Sequence, residues 1–307
     1  MSYARTKKTK RLSLRLLPAR LVSLETPKRY LLPGIYFGPR RPKTVYIFLH
    51  GLGGNLFSRH ELALSLVSRD TGALLFNNRG SGVMGGVRRM LKSGRPTKYR
   101  DAGMAHEVFT ECADDIDGAV DYARNLGAKN IFLVGHSTGC QKAVYYLAKR
   151  PRSRVKGAVL LAPMSDYSTV HQDASPAVYR RALARARQMV KAGKKHELLP
   201  LSVWPKLIDA QRFISLYTPE SAEEIFGYAS GRKPVLLNKI KKPLLAILAE
   251  ADEFGDRPAK EIAAWFRAAL ARQRADTIII KGVGHGFSPR HLAVRAAIRK
   301  WRGKFNV

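Results

Sequence analysis

Six short apolar runs recur along this chain, and helix-forming stretches separate them. They read "TVYIFLHG" from residue 44, "GALLFNN" from 72, "NIFLVG" from 130, "VKGAVLLAP" from 155, "PLLAILAE" from 243 and "DTIIIKG" from 276. Each has the length of a strand and is apolar on both of its alternating faces. A strand of that kind is stable only when both sides of its sheet are covered. The intervening segments supply the cover. In "ADDIDGAVDYARNLG", Ile116, Ala119, Val120, Ala123 and Leu126 recur at helical spacing, and Gly127 suits the helix end. "SRHELALSLVSRD", "TGCQKAVYYLAK", "PAKEIAAWFRAAL" and "HLAVRAAIRKW" read as further helices. This alternation predicts an α/β fold with a mostly parallel central sheet flanked by helices.

The rhythm divides the chain. Residues 1–28 read as a basic tail or a leading strand, and "RYLLPGIYFG" as an early strand pair or hairpin arm. Residues 84–110 are glycine-rich without periodicity and read as a long connection. At about residue 165 the alternation stops. "SPAVYRRALARARQMVKAGKK" is a basic amphipathic helix, with Ser175 as its cap, Pro176 in its first turn and Gly193 at its end. Its apolar face is Val178, Tyr179, Ala182, Leu183, Ala186, Met189 and Val190. Strand signals resume at Pro243. Residues 165–240 are therefore expected to be a helical cap insertion, between core segments 29–164 and 241–307.

Lys and Arg number 55 against 23 Asp and Glu, a formal charge of +32. Such a balance suits a polyanion, an anionic membrane surface or an acidic substrate, and equally a source whose proteins are all basic. The basic residues are spread along the chain, and no aromatic-interleaved nucleic-acid motif accompanies them. No apolar run is long enough to span a bilayer. The first acidic residue is Glu25. That basic start resembles an organelle transit peptide but lacks the apolar core of a secretory signal, so a cytoplasmic location is the expectation. Two cysteines, Cys112 and Cys140, do not make a disulfide framework. No metal-ligand spacing and no cofactor motif is present, so cofactor-independent chemistry is expected.

The chemistry centres on "VGHSTGCQ". Gly135 and Gly139 flank Ser137 between an apolar strand and a helix. In Gly-x-Ser-x-Gly the chain turns so sharply that side chains at the outer positions would collide with backbone. The serine then projects its hydroxyl at the carboxyl end of the sheet. A serine hydroxyl needs a base within hydrogen-bond reach. His285 lies in a glycine-bordered loop just past the last strand, at the same sheet edge. His171 and His196 fall in the insertion, His291 on the last helix, and His60 and His106 before the serine. The acid that orients the imidazole should follow "PLLAILAE". Asp252 comes first in a loop-like context and is preferred. Asp256 is the alternative, with a helix N-cap or a pairing to Arg257 as its other reading, and Glu253 reads as solvent-facing. Backbone N–H groups of Thr138 and of Leu52, with Gly53 next, are the candidate oxyanion donors. His50 and Gly51 brace that loop, and Arg79 ties down the neighbouring "NNRGSG" turn. Cys140 reads as a packing residue.

With these landmarks in order, the chain resembles the α/β-hydrolase superfamily over nearly its whole length. "GHSTGCQ", "ADEF" after the late strand, and the insertion from "ARARQMVKAGKK" through "LPLSVWPKLIDAQRFISLYTPES" are similar to the fungal siderophore-esterase-like family. The resemblance implies a serine hydrolase acting on carboxylic esters, with Ser137, Asp252 and His285 as triad. In characterised fungal members it implies cleavage of the ester bonds of hydroxamate siderophores. Thioesters, lipids, amides and acyl transfer to an alcohol suit the same triad. A reading of another class is a basic polyanion- or membrane-binding protein on a vestigial hydrolase fold.

Overall fold

The computed structural model describes residues 18–97 and 99–305. The basic tail up to residue 17 lies outside the described residues. Chain order begins with β1 (Ala19–Glu25), β2 (Tyr30–Phe37) and β3 (Thr44–Leu49). Next come α1 (His60–Leu66), β4 (Thr71–Phe76), β5 (Gly85–Arg89), β6 (Arg100–Ala102) and α2 (Cys112–Asn125). Then follow β7 (Asn130–His136), α3 (Thr138–Lys149) and β8 (Val155–Leu161). Helices α4 (Asp166–Asp173), α5 (Pro176–Lys191), α6 (Ala210–Tyr217) and α7 (Val235–Asn238) precede β9 (Leu244–Ala249). The chain closes with α8 (Ala259–Ala269), β10 (Ala275–Ile280) and α9 (His291–Lys304).

The strands form one sheet in the order β10-β9-β8-β7-β3-β4-β2-β5-β6, with β1 paired to β2. From β4 to β10 every pairing is parallel, and β1, β2, β5 and β6 pair antiparallel. Period-2 alternation divides each central strand between two cores. Val45, Ile47 and Leu49 of β3 face α2, α3 and α8. Tyr46 and Phe48 face α1 and α9, against Phe132, Val134 and Trp301. This is the α/β-hydrolase fold. Among the described residues, no helix is long and apolar enough to cross a membrane.

Residues 84–110 are not a featureless connection: β5 and β6 pair there as a short antiparallel ribbon. The ribbon escaped the sequence pattern because β5 buries Val87 alone. A strand with one inward residue leaves no hydrophobic period to read.

Between β8 and β9 the described chain is helical and carries a third apolar cluster. Ser175 caps α5 through a hydrogen bond from the Val178 N–H. Ala182, Ala186 and Met189 are the buried part of its apolar face, whereas Val190 is exposed. Trp204, Phe213 and Tyr217 pack edge-on or tilted with ring centroids 5.1–5.6 Å apart. Each such pair adds about 0.5–1.5 kcal/mol beyond simple burial. Leu52, from the loop after β3, packs against this cluster, so the helical segment meets the core beside the candidate site.

Candidate active site

Strand β7 ends at His136, and α3 begins at Thr138, leaving Ser137 to make the whole turn. Its backbone takes φ 55° and ψ −126°, a region that a side chain visits only under strain of about 1–3 kcal/mol. Close packing holds it there. A Cβ on Gly135 would sit 2.3 Å from the Gly139 carbonyl oxygen, and one on Gly139 would sit 2.1 Å from that of Leu49. A Cβ on Gly51 would meet Ser137 Cβ at 2.8 Å, so the loop after β3 presses directly on the serine. The Ser137 N–H donates to the Leu161 carbonyl at 2.9 Å.

His285 lies in the loop after β10. Its Nδ1 is 2.9 Å from both carboxylate oxygens of Asp252, and its backbone N–H donates to Glu253 Oε2 at 2.8 Å. The Asp252 contact places the ring proton on Nδ1 and leaves Nε2 as a proton acceptor. Asp252 also accepts from the Phe254 N–H at 3.0 Å, and the Phe254 ring packs edge-on against His285 at 4.9 Å. Ser137 and His285 line one cavity of about 420 Å³, together with Leu52, Met164, Asp166 and Phe254. The Ser137 hydroxyl is turned toward Met164 Sδ at 3.5 Å.

Asp256 is engaged elsewhere. Its carboxylate takes Arg257 Nη2 at 2.8 Å, and Pro258 rather than Asp256 precedes α8. Glu253, expected to face solvent, has an exposed side chain whose carboxylate nevertheless binds the His285 backbone and lines the cavity. The sequence could not show this, because the two loops meet only when β9 and β10 pair.

Leu52 and Gly51 line the cavity, whereas Gly53 turns toward Met104. Among the described residues, neither the Leu52 nor the Thr138 backbone N–H finds an acceptor. For Thr138 the reason is its place in the first turn of a helix. His50 Nδ1 donates to the Gly51 carbonyl at 2.9 Å. Burial, helped by the nearby Lys142 charge, lowers the His50 pKa to about 4 and keeps it neutral. Arg79 binds Asp115 at 2.6 Å, Asp114 at 2.8 Å and Glu111 at 3.2 Å, tying its turn to α2. Cys140 donates to the Gly135 and Leu161 carbonyls, and burial pushes its thiol pKa well up. It packs and does not react.

The other histidines sit apart from the serine. His106 and His196 flank Asp209, His171 packs among Tyr167 and Tyr179, His291 lies near Glu61, and His60 contacts the Phe57 carbonyl.

One histidine beside the serine went unread. His136 packs edge-on against His285 at 4.7 Å, and its Nε2 donates to the His285 carbonyl at 3.0 Å. Its signal was present as the second residue of "GHSTG", but only the fold shows which loop it meets. Burial, then the neighbouring His285 and Arg59, lower its pKa to about 3. In the unfolded chain the ring titrates near its ordinary 6.5, so below that pH the unfolded state binds a proton that the folded state refuses. His136 therefore costs stability progressively as pH falls from about 6.5 toward 3. His136→Gln is expected to gain stability relative to the parent over that window, by up to about 1.4 kcal/mol per pH unit. Paired urea titrations at pH 7 and pH 4.5 check it. A difference between the two proteins that does not change with pH overturns it.

A buried polar cluster behind α3 was also unread. Lys142 binds Glu107 at 2.6 Å, Arg212 binds Glu107 at 3.0 Å and also Glu223, and Gln141 donates to Asp166 at 2.7 Å. Burial would raise the Glu107 pKa, but Lys142 and Arg212 bring it down to about 2. Burial, then the Glu223 charge, push the Asp166 pKa well up. Gln141 and Lys142 sit in "TGCQKAVYYLAK", a helix whose residues are buried through Leu147, which the sequence alone could not show.

Comparison with known proteins agrees with this architecture. A family described as "Protein of unknown function (DUF1749)" matches residues 103–299. Over 107 residues the chain is 35% identical to the "Bifunctional esterase/perhydrolase DCH" of Acinetobacter calcoaceticus, a span covering 35% of this chain and 36% of that enzyme's length. An esterase of Pyrococcus furiosus superposes with TM-score 0.59 at 16% identity, over 94% of this chain and 91% of its own. The α/β hydrolase GrgF from Penicillium sp. sh18 superposes with TM-score 0.64 at 16% identity, over 93% and 98%.

Proposed function

The chain belongs to the DUF1749 family of proteins of unknown function, and from that premise we propose that it is a serine hydrolase of carboxylic esters. One observation carries the reading. A strained, glycine-packed Ser137 shares a cavity with a histidine whose Nδ1 is held by a carboxylate at 2.9 Å. The matched region contains all three residues. The esterase named among the relatives supports the same class.

In this reading His285 Nε2 takes the proton of Ser137 Oγ as the oxygen attacks the ester carbonyl. Rotation about the Ser137 χ1 bond brings Oγ from Met164 toward the imidazole. The carbonyl oxygen gains negative charge between the unclaimed N–H groups of Leu52 and Thr138. Collapse of the tetrahedral intermediate expels the alcohol, which His285 protonates, and leaves an acyl group on Ser137. Water then attacks with His285 as base, and Asp252 steadies the imidazolium in both halves. The helical segment between β8 and β9 acts as a cap on the substrate. The family resemblance points to a hydroxamate-siderophore ester as the first substrate to try.

The test is covalent. A fluorophosphonate probe is expected to label the protein at the peptide containing Ser137, and Asp252→Asn is expected to slow that labelling strongly. A panel of simple esters, thioesters and siderophore esters then names the leaving group. Absence of labelling under conditions where an authentic serine esterase reacts rejects the proposal.

A further inference from the structure

The two buried arginines among the described residues are answered by carboxylates. Arg79 has three, and Arg212 has Glu107 and Glu223. Arg59 is half-buried and stands at the candidate site. Its side chain lines the cavity containing Ser137 and His285, yet no Asp or Glu oxygen lies within 4.0 Å of it among the described residues. The nearby Glu61 carboxylate is exposed and turned toward His291, 3.9 Å away. Nη1 of Arg59 donates to the carbonyl of Gly286, the residue after His285, and Nε is buried without an acceptor.

Leaving a half-buried cation without an anion is costly unless something else supplies the charge. The backbone adds to that cost. Arg59 enters α1 at φ 70°, a left-handed conformation worth about 1–3 kcal/mol of strain for a residue other than glycine. Burial lowers its pKa, and the nearby Glu61 charge only partly offsets that. The carboxyl groups that share the cavity are already engaged. Glu253 binds the His285 N–H, and Asp166 accepts from Gln141.

We infer that the substrate carries a carboxylate on the fragment lodged beside α1, and that Arg59 binds it. The substrate class is then an ester whose acyl chain ends in a carboxylate, such as a monoester of a dicarboxylic acid. This rests on the hydrolase reading for its chemistry but not for its binding.

The experiment compares p-nitrophenyl hydrogen glutarate with p-nitrophenyl valerate, an uncharged ester of the same chain length. The parent enzyme is expected to favour the acidic ester in kcat/KM by about 10- to 100-fold, the usual range for a charge-assisted hydrogen bond. The preference is expected to survive about 0.5 M salt, which screens surface steering more than a buried pair. Arg59→Gln is expected to remove it mainly through KM, Arg59→Lys to keep part of it, and the exposed Arg180→Gln on α5 to leave it unchanged. Equal losses on both esters in Arg59→Gln would assign Arg59 to holding the Gly286 loop and overturn the inference. So would a parent enzyme without preference. If neither ester is turned over, binding to the Ser137→Ala protein decides the inference, and the fluorophosphonate probe decides the hydrolase reading separately. Monomethyl glutarate is expected to bind it at least about tenfold tighter than methyl valerate, with the difference lost when Arg59→Gln is added. Equal affinities overturn the inference.

Discussion

Ser137→Ala is expected to lower ester hydrolysis by a factor on the order of 10⁵–10⁶ in kcat while leaving the fold intact. The size follows from the way the three groups depend on one another. His285 has no proton to take without the hydroxyl, and Asp252 then orients an imidazole that does no work. His285→Ala is expected to cost about as much, and the double variant little more, because residues that act as a unit do not add. What remains is binding and the proposed oxyanion donors Leu52 and Thr138, worth about 10³–10⁴ over water. Alanine keeps the Cβ that packs on Gly51, so circular dichroism and the urea midpoint should stay close to those of the parent. Full ester hydrolysis by Ser137→Ala would remove the assignment, since no other serine shares the turn between β7 and α3.

Arg212→Met is expected to destabilise the protein by about 3–5 kcal/mol, the range for breaking a buried ion pair from one side. Arg212 is fully buried, and its loss leaves Glu223 unpaired and Glu107 with Lys142 alone. The arginine also donates to the Met104 carbonyl, joining α6 to the chain before α2. Arg212→Met combined with Glu223→Gln should recover much of the loss, because the charges then balance again and the Lys142–Glu107 pair is retained. Urea denaturation with unchanged m-values measures both. A loss below about 1 kcal/mol for the single variant would mean that water reaches the cluster and that its charges are not truly interior.

The unequal legibility of the site has a physical pattern. Ser137, Asp252 and His285 were readable because each follows a strand of a parallel sheet, and such a sheet brings the carboxyl ends of its strands to one edge. Local sequence carries that placement, since strand length and the glycines around the turn are short-range properties. The β5–β6 ribbon was not readable, because an edge strand that buries one residue carries no period. Asp252 and Asp256 could only be ranked by sequence. Packing separates them, since Asp252 meets His285 whereas Asp256 closes on its neighbour Arg257.

The amino-acid sequence by itself determined the α/β alternation, the strained turn and the chain order of Ser137, Asp252 and His285, each at the end of a strand. All three rest on backbone sterics and apolar periodicity, which act between near neighbours. Tertiary structure alone decided what surrounds them. His136 meets a carbonyl 149 residues away, Arg59 one 227 residues away, and Arg212 a methionine carbonyl 108 residues away. Those partners are set by which loops the folded sheet brings together, and by the demand that every buried charge find an opposite one. Half-buried Arg59 has no carboxylate within reach among the described residues, and the proposed substrate carboxylate would answer it.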